Sequence, residues 1–214
     1  MVDRSELEAR GWTKVAGVAS QDELSQIARS LGRPVISPTG ELIKRLVPKD
    51  VTTARPGTLS AAHGTGAFPL HTDTAFWPTP CRYLVLRATG DVRRITAVAS
   101  FARLLRSLGN SFHKLAERSV WIARTPTHSH YCSMIFRVGR QTGWRYDPQC
   151  MVPVNEAAKQ VDMSLRDATT EFETETLRWE EGLAIIVCNW KMLHGRGPMP
   201  IEEKRRVLER IYVE

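Results

Sequence analysis

Residues 183–188, LAIIVC, restrict the fold of this chain more than any other segment, because they form an uninterrupted apolar run. Six residues are fewer than a typical helix contains, and far fewer than the roughly 18 to 20 that a membrane-spanning helix needs. A short run of this kind is typical of a strand that is buried on both faces. We therefore expect a sheet with this strand in its interior.

The remaining pattern predicts a mixed α and β chain with a β-dominated core. Strands are predicted at 41–48, 81–88, 119–123, 131–138 and 206–213, and helices at 20–31, 99–108, 111–118 and, as one or two, within 155–178. Residues 52–69 read as a long loop. Helices thus lie at the N-terminus and in one insertion, roughly 97–180. A β-sandwich or jelly roll accommodates this order better than regular β/α alternation.

Composition narrows the class of protein. A length of 214 residues suits a single domain spanning 1–214. The net charge of +7 is scattered, with no basic tail and no interleaved aromatic residues, which disfavours nucleic acid and leaves an acidic small molecule as the alternative to a merely basic surface. The charged N-terminus lacks the apolar core of a secretory signal, so we predict a cytoplasmic protein without a membrane segment. The four cysteines form no CxxC motif, and no chemistry is assigned to them.

His71 and Asp73, in the segment FPLHTDTAFW, are the first candidate metal ligands. Residues two apart in extended chain point to the same side, so both side chains can reach one ion. Such a pair also arises by chance and in structural cores. The pair indicates a metal site only if a third ligand is found elsewhere in the chain.

His194 is the candidate third ligand, because it follows the apolar run and precedes Gly195 and Gly197, which we expect to break the chain there. Two histidines and a carboxylate form a facial triad that suits Fe(II) and leaves coordination positions open. Arg206 and Arg210, four apart on the predicted last strand, share a face and can converge on a carboxylate. The sequence thus predicts three metal ligands, open coordination positions on the metal, and arginines that can bind an acidic cosubstrate.

The blocks FPLHTDTAFWPTP, NWKMLHGR and RRVLER together resemble the taurine dioxygenase/TfdA/clavaminate synthase family of Fe(II), 2-oxoglutarate-dependent oxygenases, over roughly residues 55–213. The resemblance implies a double-stranded β-helix (jelly roll) with iron held by His71, Asp73 and His194. It implies that Arg206 binds the 5-carboxylate of 2-oxoglutarate and that Arg210 lies near the cosubstrate or an anionic substrate. The implied reaction uses O2 to oxidise an unactivated C–H bond, by hydroxylation, desaturation or cyclisation, and releases succinate and CO2.

Two positions depart from the family pattern. The usual spacing from the second histidine selects Arg205, whereas the RRxxxR block selects Arg206, and we prefer the block because turns accept insertions more readily than strands. The family's threonine that helps to hold 2-oxoglutarate aligns with Val92, so either Thr96 or an unrelated group would replace it. The predicted substrate is a small amino-acid-like or anionic molecule, free or tethered to a carrier.

Other residues have both a structural and a functional interpretation. Asn189 is as suited to a hydrogen bond behind a ligand as to a turn, whereas Arg145, His63 and the pair His128 and His130 are better explained by structure or surface. Two other functions remain open: a catalytically degenerate jelly-roll binding module, and a non-oxidative metal-dependent jelly-roll enzyme. Metal content separates the first from an oxygenase, and dependence on 2-oxoglutarate separates the second.

Overall fold

The computed structural model describes residues 1–56, 58–90, 95–171, 174–197 and 207–214, with residues 167–171 described by their backbone. Within these residues the helices are α1 (Arg4–Arg10), α2 (Gln21–Leu31), α3 (Leu59–His63), α4 (Phe101–Arg118) and α5 (Glu156–Glu171). The strands are β1 (Trp12–Val15), β2 (Pro34–Val35), β3 (Lys44–Leu46), β4 (Phe68–His71), β5 (Tyr83–Thr89), β6 (Thr96–Ser100), β7 (Val120–Arg124), β8 (Ser129–Ser133), β9 (Ile135–Val138), β10 (Gln141–Trp144), β11 (Met151–Pro153), β12 (Glu175–Leu177), β13 (Ala184–Cys188), β14 (Met192–Arg196) and β15 (Val207–Val213).

Two antiparallel sheets form the framework of the described structure. The larger has the order β1-β13-β5-β15-β2, with β3 also paired to β15, and the smaller has the order β12-β6-β14-β4. The apolar run of the sequence is β13, which lies between β1 and β5 with every residue buried. The prediction of a buried interior strand, and of a β-dominated chain decorated by helices, is therefore confirmed.

The inner faces of the two sheets share one apolar core. Leu84, Leu86 and Leu208 of the larger sheet are buried in the same cluster as Val98 and Met192 of the smaller one. Since side chains alternate along a strand, the neighbouring residues point outward. The space between the sheets is thus lined from both sides, and the candidate site lies in this space.

The outer face of the larger sheet is covered by α1 and α2. Ser20 begins α2 with a reciprocal capping box, in which its hydroxyl accepts from the Glu23 N–H and the Glu23 carboxylate accepts from the Ser20 N–H. Gly32 ends the helix as predicted. Leu24 and Ala28 are fully buried against this face. The sequence signals at both ends of α2 therefore agree with its tertiary packing.

The insertion packs on the outer face of the smaller sheet. Its strands β7, β8 and β11 form a separate sheet beside α4 and α5. The two helices predicted on either side of Gly109 are present within α4, because the backbone leaves helical geometry at that residue, where φ is +82°. Residues 99 and 100, predicted as helix, instead end strand β6, because Ala99 pairs with Leu193 of β14.

Three other predictions for local structure were wrong. Residues 131–138 belong to two strands in different sheets, because the chain changes partner at the fully buried Met134. The helix predicted up to 178 ends at Glu171, and β12 follows because Leu177 enters the core and its strand pairs with β6. Tertiary contacts here outweigh local helix propensity. The loop predicted at 52–69 contains the short helix α3, capped by Thr58.

No helix in the described part of the chain is both long and apolar enough to cross a bilayer.

Candidate metal centre

His71 is the last residue of β4 and is almost completely buried. Its Nδ1 lies 2.9 Å from the carbonyl oxygen of Pro69. Because a carbonyl can only accept, Nδ1 carries a proton, and in the neutral ring Nε2 therefore carries the lone pair. This hydrogen bond fixes both the tautomer and the ring orientation, as in many metal-ligating histidines.

Asp73 lies in the turn after β4 and is held by its backbone. The side-chain oxygen of Asn189 accepts from the Asp73 N–H at 3.0 Å, and the Asn189 amide donates to the Asp73 carbonyl at 2.9 Å. The next residue, Thr74, has a φ of +55°, which is uncommon for a threonine, and its hydroxyl accepts from the Cys81 N–H. These contacts keep the turn sharp and direct the Asp73 carboxylate towards His71.

His194 lies within β14, directly opposite His71 in the strand pairing, and the two imidazole rings are 4.4 Å apart between centroids. The expectation that Gly195 breaks the chain is wrong, because β14 continues to Arg196. Gly195 instead permits a close approach at a bulge, since a Cβ there would lie 2.8 Å from the carbonyl oxygen of Phe68. The missing side chain thus lets β4 and β14 bring the two histidines together.

The three side chains form one cluster whose potential ligand atoms all lie within 4.8 Å of one another. The Nε2 atoms of His71 and His194 are 3.7 and 3.9 Å from the same oxygen of Asp73, Oδ1. Neighbouring ligands of an octahedral ion at about 2.1 Å would be about 3 Å apart, so shifts below about 1 Å suffice. The donor set therefore fits one divalent ion.

Electrostatics in the cluster favour a bound cation. Burial alone would raise the pKa of Asp73, but Arg210 and the two histidines hold it far below its usual value. Burial and the neighbouring His71 lower the pKa of His194 to about 3, so this imidazole is neutral at physiological pH. Burial alone would lower the pKa of His71, yet the carboxylates of Asp73 and Asp147 raise it. The same negative charges attract a metal ion to Nε2.

Arg210 lies beside the cluster, on the inner face of β15. Its Nη1 donates to the other oxygen of Asp73, Oδ2, at 2.7 Å, and its guanidinium lies 4.4 Å from the ring centroid of Tyr212. This contact leaves Asp73 Oδ1 facing the histidines. The buried Arg210 Nε has no hydrogen-bond partner within the described residues. A buried guanidinium with donor capacity left over is suited to an incoming anion.

A cavity of about 600 Å³ opens onto the three side chains and Arg210. Phe76, Thr96, Asp147 and Gln149 are also among its lining residues. The Thr96 hydroxyl accepts from the Trp179 indole N–H at 3.0 Å, so its own proton is free to be donated into the cavity. Thr96 therefore lines the same cavity as the candidate metal ligands.

Some predicted residues lie elsewhere or outside the described residues. Arg205, Arg206 and Val92 are outside them. Arg145 is buried and donates to the carbonyls of residues 75, 77 and 78, which is the structural role favoured by its sequence context. The exposed His63 packs near Phe68 and does not line the cavity.

Asp147 belongs to the segment 145–148, for which the sequence favoured a structural turn over a role facing the substrate. It lines the cavity, and burial raises its pKa despite the nearby His71. For Asn189, a hydrogen bond behind a ligand was one of two interpretations. The structure shows it as two hydrogen bonds to the Asp73 backbone, and the available hint was an amide directly after the buried strand β13.

Comparison with solved structures defines the class of fold, which is that of the iron- and 2-oxoglutarate-dependent oxygenases. No protein-family model and no curated protein matches the sequence.

Three structures illustrate the likeness. An asparagine oxygenase in complex with Fe(II), 3-hydroxyasparagine and succinate has a TM-score of 0.76 and 19% identity, over 95% of this chain and 74% of that one. OrfP, a non-heme iron oxygenase in complex with Fe and alpha-ketoglutaric acid, has a TM-score of 0.75 and 17% identity, over 98% and 77%. PvcB of Pseudomonas aeruginosa has a TM-score of 0.72 and 18% identity, over 99% and 78%.

Proposed function

We propose that this protein is an Fe(II)- and 2-oxoglutarate-dependent oxygenase. The observation that supports it best is the convergence of His71, Asp73 and His194, from segments 121 residues apart (194 − 73), on one buried cluster that opens into a cavity. A facial set of two histidines and one carboxylate leaves three positions of an octahedral ion open. Two of the similar structures, the asparagine oxygenase with Fe(II) and succinate and OrfP with Fe and alpha-ketoglutaric acid, support the same assignment.

The chain's own residues would hold and orient the metal. The Nε2 atoms of His71 and His194 and the Oδ1 of Asp73 are the donors, while Pro69, Asn189 and Arg210 hold them in place. The iron, when bound, would supply the O2 chemistry that couples conversion of 2-oxoglutarate to succinate and CO2 with oxidation of a C–H bond. The three donors themselves are largely buried, which limits the access of water to that centre.

Arg206, Arg210 and Thr96 would hold the cosubstrate. Leu208, Arg210 and Tyr212 line the cavity, so alternate residues of β15 point inward. In the sequence, the RRxxxR block selects Arg206 rather than Arg205 as the partner of a carboxylate. We therefore propose that Arg206 pairs with the 5-carboxylate of 2-oxoglutarate and that the free donors of Arg210 lie within reach of the same ligand or of an anionic substrate.

The remaining parts of the proposal concern architecture and substrate. The two facing antiparallel sheets are consistent with a double-stranded β-helix that forms one domain over 1–214, with an insertion over roughly 97–180. A small amino-acid-like or anionic substrate, free or carrier-tethered, is proposed by analogy with structures that contain hydroxyasparagine and hydroxyarginine. A cytoplasmic location stays a proposal.

Anaerobic absorption spectroscopy tests the metal and cosubstrate sites together. Adding Fe(II) and 2-oxoglutarate to the protein is expected to produce a visible charge-transfer band, because the cosubstrate chelates the iron directly. In Arg206→Ala, half-saturation should need about ten- to a hundredfold more 2-oxoglutarate, since a charge-assisted pair is worth about 1.5–3 kcal/mol.

Arg205→Ala is the matched control and should titrate like the unaltered protein. A protein that binds iron but gives no band with 2-oxoglutarate would contradict the proposed cosubstrate. A large effect of Arg205→Ala with none of Arg206→Ala would overturn the assignment between the two arginines.

A further inference from the structure

We propose that the mouth of the cavity binds a phosphate group on an extension of the substrate, a proposal that rests on the oxygenase function above. Exposed basic residues from two segments of the chain line this cavity. Lys49 and Arg55 lie on the segment between β3 and α3, and Arg124 and His128 lie at the turn between β7 and β8. All four residues both line the cavity and are exposed to solvent.

The cavity has buried acidic side chains, one of which contacts Arg210, whereas other basic side chains that line it are exposed. The acidic residues among the described lining residues are Asp73 and Asp147, which are withdrawn into the inner end. In the described structure, no ion pair joins Lys49, Arg55 or Arg124 to a carboxylate. The basic groups at the mouth therefore remain available to an anion from outside.

The size of the cavity leaves room for such an extension. Small-molecule sites commonly have volumes of about 300–1,000 Å³, and this cavity has about 600 Å³. A 2-oxo acid and the reacting part of a substrate would occupy the inner end, near His71 and His194. The outer part, between residues 49–55 and 124–128, would then surround the rest of the substrate.

Phosphate is the group that this arrangement suits best. Arginine presents a planar fork that matches phosphate oxygens, and lysine adds a mobile point charge. A single exposed ion pair contributes little, so the arrangement depends on several cations acting on one multiply charged group. The same cations would also attract an anionic substrate from a distance, an effect that salt screens.

Binding to pairs of probes that differ only by a phosphate tests this proposal. Calorimetric titrations would compare 4′-phosphopantetheine with pantetheine, and O-phosphoserine with serine, on the metal-free protein. At least one phosphorylated probe is expected to bind about tenfold more tightly than its partner at low salt. A preference confined to the first pair points to a carrier's arm, and one confined to the second pair points to a small phosphorylated amino acid.

Charge reversal locates the phosphate. Arg55→Glu and Arg124→Glu are each expected to lower the affinity for the phosphorylated probe roughly tenfold. The affinity for the unphosphorylated probe should change little. Arg137→Glu is the matched control, because Arg137 is an exposed arginine of β9 that does not line the cavity. Equal binding of both members of each pair, or an equal loss in Arg137→Glu, would overturn the proposal.

Two further conditions separate this proposal from the oxygenase function. Each titration is repeated with saturating 2-oxoglutarate and Zn²⁺, which occupy the inner end, and phosphate binding is expected to persist. Loss of phosphate binding under these conditions would show that the phosphate binds at Arg206 and Arg210, where the cosubstrate is proposed to bind, and would overturn the proposal. The first titrations need neither iron nor turnover. Phosphate binding can therefore be absent while the charge-transfer band is present, and the band can be absent while phosphate binding is present.

Discussion

Replacing His194 with alanine is expected to weaken Fe(II) binding by at least about a hundredfold. Loss of a group that merely supports a ligand already costs about 10- to 100-fold in metal affinity, and His194 is proposed as a ligand itself. Two donors, His71 and Asp73, would remain, and the ion would have to replace the third with water. The affinity would be measured by anaerobic calorimetric titration of metal-free protein with Fe(II).

The control for this prediction is His113→Ala. His113 is exposed on α4 and lies outside the cavity, so its replacement should leave Fe(II) affinity unchanged. Circular dichroism would verify that both variants keep their fold. Similar Fe(II) affinities for His194→Ala and the unaltered protein would refute the assignment of His194 as a ligand.

Glu209→Ala is expected to lower the free energy of unfolding by about 3–5 kcal/mol, because it leaves a buried charge without its partner. Arg87 and Glu209 are opposite each other on β5 and β15, with an Nη2–Oε2 distance of 2.6 Å and only 6% and 4% of their surfaces exposed. The amide of Gln21, on α2, also donates to Glu209. This pair lies on the face of the sheet that points away from the cavity.

Urea unfolding of single and double variants separates the cost of an unpaired charge from the worth of the pair. Arg87→Met combined with Glu209→Leu should be close to the unaltered protein in stability, because apolar residues of similar volume avoid the desolvation of both charges. Fe(II) affinity should change little in the double variant. A Glu209→Ala loss below about 1 kcal/mol would show that Arg87 is hydrated in solution.

The sequence predicted the elements of the fold whose local signals agree with their packing. The run at β13 and the capped helix α2 were found because an apolar segment and a capping box determine them locally. The strand β12 and the end of β6 were missed because their pairing partners are far away in the chain. No local pattern reveals such a partner.

The same distinction applies to the candidate site. The spacing of His71 and Asp73 suggested a shared direction, and the structure brings both to His194. The contact between Arg210 and Asp73 was not predicted, since it depends on how two sheets face each other. The basic mouth of the cavity was also hidden, because its residues come from segments more than 60 residues apart, as Arg55 and Arg124 illustrate (124 − 55).

The central claim is tested most directly by oxygen-dependent formation of succinate. Protein loaded anaerobically with Fe(II) and given 2-oxoglutarate is expected to form succinate once O2 is admitted, slowly even without the primary substrate. Asp73→Ala, verified to be folded, should form none because the iron site is lost. Iron-loaded protein that forms no succinate, or Asp73→Ala that forms as much as the unaltered protein, would contradict the assignment as a 2-oxoglutarate-dependent oxygenase.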